Sequence, residues 1–408
     1  MSRTSRGILF VSHDSGRTGA PIGLLAFMRW MRANTNYGIG TVLRVPGPLE
    51  ASFRELGPTL TLNTSFLARS RLGRRIRQRL PGFFRDETDK IRRFFAAGAF
   101  DLIYSNTMTN GVALEALSSF GVPIVTHVHE LEYWINRSGA EHLKRVLGHT
   151  TAYIAVAEAV RENLIYNHGV PDEKIAVIYE HIRELPPVPS PAEKAAARKN
   201  LGIPAGAFVV GGCGAEHWRK GRDLIPQLLS ALRRLRPEGE FHFVWVGRSG
   251  SAAEEYALQH DLRAAGVESR FHSSGEVADP FQLYPAMDAF ALLSREDPYP
   301  LACLEVAATE VPVVCFADAG GMPEFARDGC GLVSPYLDLE QMARDLIRLA
   351  DDPELARDCG RRARAKVARE NLLDTTAPQL KAVIDRCVGD GKGRAATEAT
   401  GHPAVGKL

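Results

Sequence analysis

The stretch Phe208-Val-Val-Gly-Gly-Cys-Gly-Ala-Glu-His-Trp-Arg-Lys-Gly221 passes from a short apolar run into a glycine-containing turn. Residues 222–235, which follow it, alternate apolar and polar side chains at helical spacing. A buried strand followed by a helix is the repeating unit of a parallel α/β sheet, where ligands bind beyond the carboxyl ends of the strands. Arg219 and Lys220 therefore lie where a helix dipole and two cationic groups favour an anion. Taken alone, an Arg-Lys-Gly sequence is more often a solvated turn.

The same strand–helix unit repeats along the chain. Short runs rich in Val, Ile and Phe predict buried parallel strands at residues 8–12, 39–45, 60–62, 102–105, 123–128, 152–157 and 175–179, and at 208–213, 242–247, 270–273, 289–294, 311–316 and 332–334. A chain of 408 residues is too long for one hydrophobic core. The predicted fold class is α/β, with two Rossmann-like domains built on doubly wound parallel sheets.

A proline-rich segment separates the two sets of strands, since four of the nine residues in 183–191 are proline. We predict domains and connections as follows: an N-terminal domain over 1–182, a linker over 183–200, a C-terminal domain over 201–372, and a helix over 373–388 that packs back on the first domain. Residues 389–408 are expected to be mobile because they offer little apolar area to bury.

Composition excludes several classes of protein. The formal net charge of +2 gives no sign of a global nucleic-acid binder. Six cysteines without Cys-x-x-Cys spacing argue against a zinc site or a disulfide framework, which favours a reducing, cytoplasmic compartment. The apolar run at residues 7–11 is too short for a signal peptide or a membrane span.

Membrane contact is therefore expected to be peripheral at most, and residues 69–93 are the candidate segment. They contain ten Lys or Arg against three acidic residues, interleaved with apolar side chains. Such a stretch can lie on the anionic inner face of a membrane, where each cation adds about 1 kcal/mol. The alternative is a solvated helix face.

Two carboxylates, Asp297 and Glu305, are separated by seven residues after the predicted strand 289–294. Carboxylate oxygens accept hydrogen bonds from sugar hydroxyls, so the pair could bracket two parts of one ligand. Spacing alone leaves open that both are ordinary solvated carboxylates. The turn at Gly320 and Gly321 lets the backbone approach a ligand closely, although it also fits a plain helix start.

Some familiar nucleotide motifs are missing from the sequence. No Gly-x-Gly-x-x-Gly follows the first strand and no Walker pattern occurs, which removes the main support for a dehydrogenase or a P-loop enzyme. No Asp-x-Asp occurs either, so the usual metal–diphosphate bridge of the other large transferase fold is lacking.

The order of these motifs, with Asp279, Tyr284, Asp288 and Ser294 between them, resembles the retaining GT-B glycosyltransferases of family 4. The resemblance covers nearly all of the second domain and, more weakly, the first. It implies two Rossmann-like domains facing a central cleft. It also implies transfer of a sugar from a nucleotide-diphosphate donor to an acceptor hydroxyl, with no metal and no other cofactor.

The resemblance further implies roles for individual residues. Arg219 and Lys220 neutralise the donor diphosphate in that family's scheme. Asp297 lies by the transferred sugar and Glu305 by the nucleotide ribose. The implied donor-binding positions are Gly19, Ala20, Gly214, Leu301, Glu305, Gly320 and Gly321. Asp297 stands where the family usually has glutamate and is shorter by one methylene, which we expect to alter sugar preference, and Pro298-Tyr299-Pro300 replaces an aromatic–glycine stretch.

In the first domain, the loop His13-Asp-Ser-Gly-Arg-Thr-Gly-Ala-Pro21 resembles the small-residue loop that faces the acceptor and the donor phosphates. Alternation along a strand places His127 and His129 on one face. The two residues could therefore bind a metal ion as a pair, or they could be ordinary core or capping histidines. The resemblance places His129 near the donor sugar as a catalytic residue, beside Arg219, Lys220 and Asp297. His13, Asn106 and His127 are the weaker acceptor-side candidates.

The function expected from the sequence is a retaining glycosyltransferase in polysaccharide or glycoconjugate assembly, with a saccharide or lipid-linked acceptor. Two alternatives stay open, because a fold does not fix a function. One is a non-catalytic family member that binds a nucleotide sugar, and the other is a sugar-nucleotide 2-epimerase. The base and sugar of the donor and the identity of the acceptor are left undetermined.

Overall fold

A computed structural model describes residues 6–62, 89–91, 93–95, 100–214, 218–247 and 250–398, with the backbone alone described after residue 389. The described part of the chain divides into two compact units. The first contains the chain up to Val156, the segment Val160–Ile178 and the chain from Thr376 onward. The second contains Ala157–Ala159 and Tyr179–Thr375, so it begins slightly before the boundary predicted after residue 182.

The first unit is built on a seven-stranded parallel sheet in the order β3-β2-β1-β4-β5-β6-β7. Its strands are β1 (Gly7–Ser12), β2 (Gly38–Leu43), β3 (Thr59–Thr61), β4 (Leu102–Ser105), β5 (Ile124–Val128), β6 (Ala152–Ala155) and β7 (Ile175–Val177). The chain adds strands on one side of β1 and then returns to add β4 on the other. The carboxyl ends of β1 and β4 therefore form a topological switch point, where open α/β sheets bind ligands.

Helices cover the faces of this sheet. They are α1 (Gly19–Asn34), α2 (Glu50–Arg54), α3 (Gly111–Leu117), α4 (Glu132–Ser138), α5 (Ala140–His149) and α6 (Glu158–His168). Helix α1 buries Leu24, Leu25, Phe27, Met28 and Met31, a spacing that keeps one apolar stripe against the sheet. The rings of Phe10, Phe27 and Tyr104 pack together beneath it with centroids 5.3–6.2 Å apart.

The second unit has a six-stranded parallel sheet in the order β10-β9-β8-β11-β12-β13. Its strands are β8 (Phe208–Cys213), β9 (Phe241–Val246), β10 (Phe271–Ser273), β11 (Ala289–Leu292), β12 (Val313–Phe316) and β13 (Gly331–Ser334). The switch point here lies between β8 and β11. Together the two sheets confirm the predicted α/β class with two Rossmann-like domains.

The helices of the second unit are α7 (Pro191–Asn200), α8 (Ile225–Leu235), α9 (Ala252–Ala264), α10 (Leu301–Ala307), α11 (Met322–Ala326), α12 (Leu339–Asp351) and α13 (Pro353–Glu370). Helix α8 buries Ile225, Leu228, Leu229 and Leu232, which recur at helical spacing on one face. These residues belong to a core cluster that also contains Phe243, Trp245 and Leu346.

Two parts of the predicted domain plan need correction. The linker predicted over 183–200 does not extend over its last ten residues, which form α7. Pro191 suits the first helical position, and Ser190 and Glu193 form a capping box, so the helix begins directly after the proline-rich segment. Helix α7 is tied into the second unit by Lys194, whose Nζ lies 2.6 Å from Asp288 Oδ1.

At the carboxyl end, the helix predicted over 373–388 is α14 (Leu373–Glu398), which continues ten residues into the segment expected to be mobile. From Thr376 onward it groups with the first unit. Tyr37 Oη donates to Asp385 Oδ1 at 2.6 Å, which anchors this helix beside β2. Residues 399–408 lie outside the described residues.

Most of the basic stretch 69–93, the candidate membrane segment, also lies outside the described residues. Within the part of the chain that is described, no helix is long and apolar enough to cross a membrane.

Candidate active site

The two predicted cations and the first predicted carboxylate meet at the switch point of the second unit. Lys220 Nζ lies 2.6 Å from Asp297 Oδ2, and Arg219 Nη1 lies 3.1 Å from Asp297 Oδ1. The side chains of Arg219 and Lys220 are only 13% and 18% exposed, so neither extends into bulk solvent. Residues that follow β8 and β11 in sequence are thus joined in one charged cluster.

Asp297 is the centre of this cluster and is 5% exposed. Burial by itself raises the pKa of its carboxyl group, but the charges of Lys220 and Arg219 outweigh burial and lower the pKa to about 2. Ser294 Oγ donates a further hydrogen bond to Oδ2 at 3.0 Å. The carboxyl group is therefore ionised throughout the physiological range and is a poor proton acceptor.

The cations lie on a tight turn rather than at the start of an α-helix. Residues Trp218–Lys220 form one 3-10 turn, and helix α8 begins only at Ile225, later than the predicted 222. Gly221 between them has φ +68°, and a Cβ there would lie 2.0 Å from the carbonyl oxygen of Leu293. Close packing against the β11 loop, which only glycine permits, fixes the direction of Lys220.

Gly214 shapes the other side of the Lys220 side chain. It has φ +154°, and a Cβ at this position would lie 3.2 Å from two carbons of Lys220. The aliphatic part of Lys220 therefore lies directly over Gly214 while its ammonium group reaches Asp297. This places Gly214, one of the donor-binding predictions, beside the cations.

Arg295 is a site residue that the sequence reasoning missed. Its guanidinium donates to both carboxylate oxygens of Asp223, at 2.8 and 2.7 Å, and to the carbonyl oxygen of Trp218 at 2.6 Å. The guanidinium also stacks over the Trp218 ring, 5.1 Å from its centroid. Arg295 thus clamps the turn that bears the cations to the loop that bears Asp297, and no spacing motif signals this pair.

The Gly320–Gly321 turn lies against the Asp297 loop. Asp297 N donates to the carbonyl oxygen of Ala319 at 2.6 Å, and Gly321 N donates to that of Pro298 at 2.8 Å. A Cβ on Gly321 would lie 2.4 Å from the carbonyl oxygen of Pro298. Gly321 is therefore required by close backbone packing, and Gly320 has a φ of +128°, which favours glycine. The turn lies next to the charged cluster.

Glu305, the second predicted carboxylate, lies in the second turn of α10, which begins at Leu301 and ends at Ala307. Tyr284 Oη donates to Glu305 Oε2 at 2.7 Å. Burial raises the pKa of Glu305, and the Tyr284 hydrogen bond opposes that rise. Burial raises the pKa of the Cys213 thiol, at the end of β8, to about 11, and the charge of Lys220 opposes that rise.

In the first unit, the switch point brings together three of the predicted residues. His129 Nε2 lies 3.1 Å from Asn106 Oδ1, and Asn106 Nδ2 donates to the carbonyl oxygen of Ala20 at 2.8 Å. His13 follows β1, and burial lowers its pKa while the nearby charges of Asp14 and Glu130 oppose that change. The first turn of α1, where Gly19 lies, is thereby joined to the loops after β4 and β5.

His127 has different surroundings from His129. Its Nδ1 lies 2.7 Å from Tyr104 Oη and the residue is 6% exposed, whereas His129 lies beyond the end of β5. The two rings have centroids 4.1 Å apart. Among the residues that the structure describes, no group of three or more His, Cys, Asp or Glu is placed to hold a metal ion.

Glu130 holds the loops after β4 and β5 together by hydrogen bonds, and the sequence analysis did not identify it. One carboxylate oxygen accepts the backbone N–H groups of Met108 and His129, both at 3.1 Å. The other accepts a short hydrogen bond from Thr107 Oγ1. Glu130 therefore fixes the loop after β4 relative to His129, although a lone Glu after a His carries no motif that would reveal it.

Comparisons with known proteins identify the family of the chain. A family model described as Glycosyl transferases group 1 matches residues 207–352, and one described as Glycosyltransferase Family 4 matches residues 43–183. The D-inositol 3-phosphate glycosyltransferase of Saccharomonospora viridis is 31% identical over 309 residues, which cover 70% of each chain. The chain belongs to the group 1 glycosyltransferases.

Other proteins are similar to this glycosyltransferase in sequence or in fold. The D-inositol 3-phosphate glycosyltransferase of Streptomyces griseus is 29% identical over 333 residues, covering 73% of this chain and 69% of that protein. Anabaena Alr3699/HepE in complex with UDP and glucose superposes with a TM-score of 0.75 at 22% identity, over 93% of this chain and 99% of that one. Sucrose-phosphate synthase from Thermosynechococcus elongatus gives 0.75 at 19% identity, over 94% and 100%. These likenesses identify the GT-B fold.

Proposed function

We propose that this glycosyltransferase takes its sugar from a nucleotide diphosphate and transfers it to an acceptor hydroxyl with the anomeric configuration retained. The single observation that carries the proposal is the pair of nearly buried cations, Arg219 and Lys220, fixed at the switch point of the second sheet. When the glycosidic bond to the diphosphate breaks, negative charge grows on the leaving group. Cations held in place in advance stabilise that charge without reorganisation.

Asp297 has a different role in this proposal from the one that the family resemblance implies. It is bonded to both cations, and its low pKa makes it a weak base. We infer that it positions Arg219 and Lys220 and does not take the proton of the acceptor. In the transfer, the bond from the anomeric carbon to the diphosphate oxygen breaks, and the acceptor oxygen forms the new bond on the same face. The acceptor proton then goes to the departing diphosphate oxygen.

No metal ion is needed in this scheme. The two cations supply the positive charge that a divalent ion otherwise brings to a diphosphate. The sequence also has no Asp-x-Asp to bridge such an ion. Transfer is accordingly expected to proceed at the same rate with and without a chelator such as EDTA.

The remaining positions suggest how the donor lies. In the proposed arrangement, Glu305 accepts hydrogen bonds from the ribose, and the Gly320–Gly321 turn donates from its backbone to the sugar. UDP-glucose is the first donor to test, because the fold relative from Anabaena was crystallised with it. D-inositol 3-phosphate is the first acceptor to test, because the curated relatives are named for it.

The proposed cellular role is polysaccharide or glycoconjugate assembly in the cytoplasm, at the inner face of a membrane. The role in assembly rests on the family resemblance, and the membrane part rests on the basic stretch at residues 69–93. Replacing Arg74, Arg75 and Arg77 by Glu should abolish sedimentation with anionic vesicles and leave neutral vesicles unbound. Equal binding of wild type and variant to both kinds of vesicle would contradict the membrane part of the proposal.

The test of the activity is release of nucleoside diphosphate from a panel of UDP-, GDP- and ADP-sugars, with and without an acceptor panel. Acceptor-dependent release, with a product whose anomeric configuration matches the donor, supports the proposal. Donor binding with no turnover would indicate a non-catalytic member of the family. Release without acceptor, together with an isomerised sugar, would indicate an epimerase.

A further inference from the structure

We propose that Tyr284 is a positioning residue that holds the carboxylate of Glu305 toward the ribose hydroxyls of the donor, and thereby makes the enzyme selective for ribonucleotides over 2′-deoxyribonucleotides. The inference rests on the proposed function. Tyr284 is fully buried, and its hydroxyl donates to Glu305 Oε2 at 2.7 Å. No other side-chain hydrogen bond to Glu305 is described in the structure, so Tyr284 is its one described anchor.

Tyr284 is itself rigidly placed. It begins the 3-10 turn Tyr284–Ala286, and the ring of Phe281 packs edge-on against it with centroids 5.4 Å apart. Arg198, from helix α7, donates to the carbonyl oxygen of Ala286 at 3.0 Å and pairs with Asp288. Phe281 and Arg198 therefore fix the turn within its own unit. The phenol of Tyr284 cannot move with Glu305 if the carboxylate rotates.

The hydrogen bond from Tyr284 leaves the carboxylate of Glu305 with further acceptor positions. Tyr284 occupies Oε2, which leaves Oε1 and the second lone pair of Oε2 as acceptors. Two adjacent acceptor oxygens match the two hydroxyls of a vicinal diol such as the 2′ and 3′ positions of ribose. A site built to bond a hydroxyl discriminates strongly against the analogue that lacks it, because its polar group is then left unpaired.

The charge of Glu305 depends on the same contact. Two titratable groups influence the pKa of Glu305, Tyr284 from the 3-10 turn and Asp279 from the preceding turn. Glu305 in turn helps to raise the pKa of the Cys213 thiol at the end of β8, where burial is the larger cause. Burial and Asp279 raise the pKa of Glu305, and the hydrogen bond from Tyr284 lowers it. Removing the phenol hydroxyl therefore favours the protonated carboxyl group, and nucleotide affinity should fall as pH is lowered, beginning at a higher pH than in the wild type.

The experiment compares wild type, Tyr284→Phe and a control, Tyr153→Phe, by calorimetry. Tyr153 is another buried tyrosine, but it lies on β6 in the first unit. The probes are the tightest binder among UDP, GDP and ADP, its 2′-deoxy counterpart, and pyrophosphate, each at pH 6, 7 and 8. Thermal melting establishes that each variant is folded.

We expect Tyr284→Phe to lose about tenfold in affinity for the ribonucleotide, as befits one hydrogen bond to a charged group. Its affinity for the 2′-deoxynucleotide, which keeps only the 3′ hydroxyl, should fall less, and its affinity for pyrophosphate should stay unchanged. The loss for the ribonucleotide should be larger at pH 6 than at pH 8. Tyr153→Phe should bind all three probes as the wild type does. Equal losses for ribo- and deoxyribonucleotide, or an unchanged ribonucleotide affinity at every pH, would overturn the assignment.

If Tyr284→Phe does not fold, Glu305→Gln provides the second route. Glutamine cannot titrate, so the ratio of its affinities for the ribonucleotide and the 2′-deoxyribonucleotide should not change with pH between 6 and 8 and should approach one. A ratio equal to that of the wild type would sink the proposal. If the wild-type protein binds pyrophosphate but binds ribo- and 2′-deoxyribonucleotides equally well, this inference alone is wrong. If it binds neither nucleotide nor pyrophosphate, the proposed function is wrong.

Discussion

Lys220 Nζ and Asp297 Oδ2 are 2.6 Å apart, although 76 residues lie between them in the sequence. The pair joins the loops that follow the two central strands of the second sheet, β8 and β11. Asp297 compensates one of the two positive charges of Arg219 and Lys220. A diphosphate that approaches these cations therefore meets a site already ordered by its own counterion.

Asp297→Asn should expose that relationship directly. Two nearly buried cations then lose their counterion, and we expect the variant to be less stable by about 3 kcal/mol. Added pyrophosphate should raise the melting temperature of the variant more than that of the wild type, because it replaces the missing negative charge. Equal shifts in a thermal-melting titration would show that the cations do not bind the anion.

The dependence of stability on pH in acid tests the ionisation of the same carboxyl group, that of Asp297. The pKa of Asp297 is lowered in the folded state to about 2 from an ordinary 3.8, so ionisation of this group stabilises the fold above pH 3.8. That contribution, about 2 kcal/mol, is lost as pH falls from about 4 toward 2. The difference in stability between wild type and Asp297→Asn, measured by denaturant unfolding, should shrink over this window. A difference that is constant from pH 5 to pH 2 would refute the assignment.

Gly221 and Gly202 form a matched pair of glycines, both with φ +68°. A Cβ on Gly202 meets nothing within 4 Å, whereas one on Gly221 would lie 2.0 Å from the Leu293 carbonyl oxygen. Gly202→Ala should therefore cost only the backbone strain, about 1 kcal/mol. Gly221→Ala should cost at least about 2 kcal/mol more and weaken pyrophosphate binding, because the turn that bears Lys220 must move. Similar losses in both variants would argue against the packing described for this turn.

Glu130→Gln tests the order of the first unit. A glutamine cannot accept hydrogen bonds on both side-chain atoms, so at least one of the Thr107, Met108 and His129 donors loses its partner. We expect the KM for the acceptor to rise severalfold while donor binding stays unchanged. Glu132→Gln, two residues away on the half-exposed start of α4, is the control and should change neither. A rise in the donor KM alone would show that this region serves the donor.

Much of the fold was accessible from the sequence because apolar runs and helical spacing are local. All thirteen strands of the described residues begin and end within two residues of their predicted positions. The linker prediction was wrong for a local reason as well. Proline content predicted a linker, but Pro191 and the capping box of Ser190 and Glu193 start helix α7 there.

The candidate site was only partly accessible. Arg219, Lys220, Asp297 and Glu305 were proposed from motif order, yet their mutual contacts depend on strand order, which spacing does not contain. Arg295 and Glu130 act through long-range contacts, to Asp223 and Trp218 and to the loop after β4, and so leave no periodic or motif signal. Side-chain partners of this kind become visible only when the sheet is assembled.

The central claim is that Lys220 stabilises the departing diphosphate, and its most direct measurement is the rate of sugar transfer by Lys220→Ala beside Lys194→Ala. Lys194 also pairs with an aspartate at 2.6 Å, but on α7, away from the candidate site. Lys220→Ala should lower kcat by about 100-fold or more, as expected for one preorganised charge at a developing anion, while Lys194→Ala keeps the wild-type rate. A Lys220→Ala enzyme that transfers sugar as fast as the control would contradict the account.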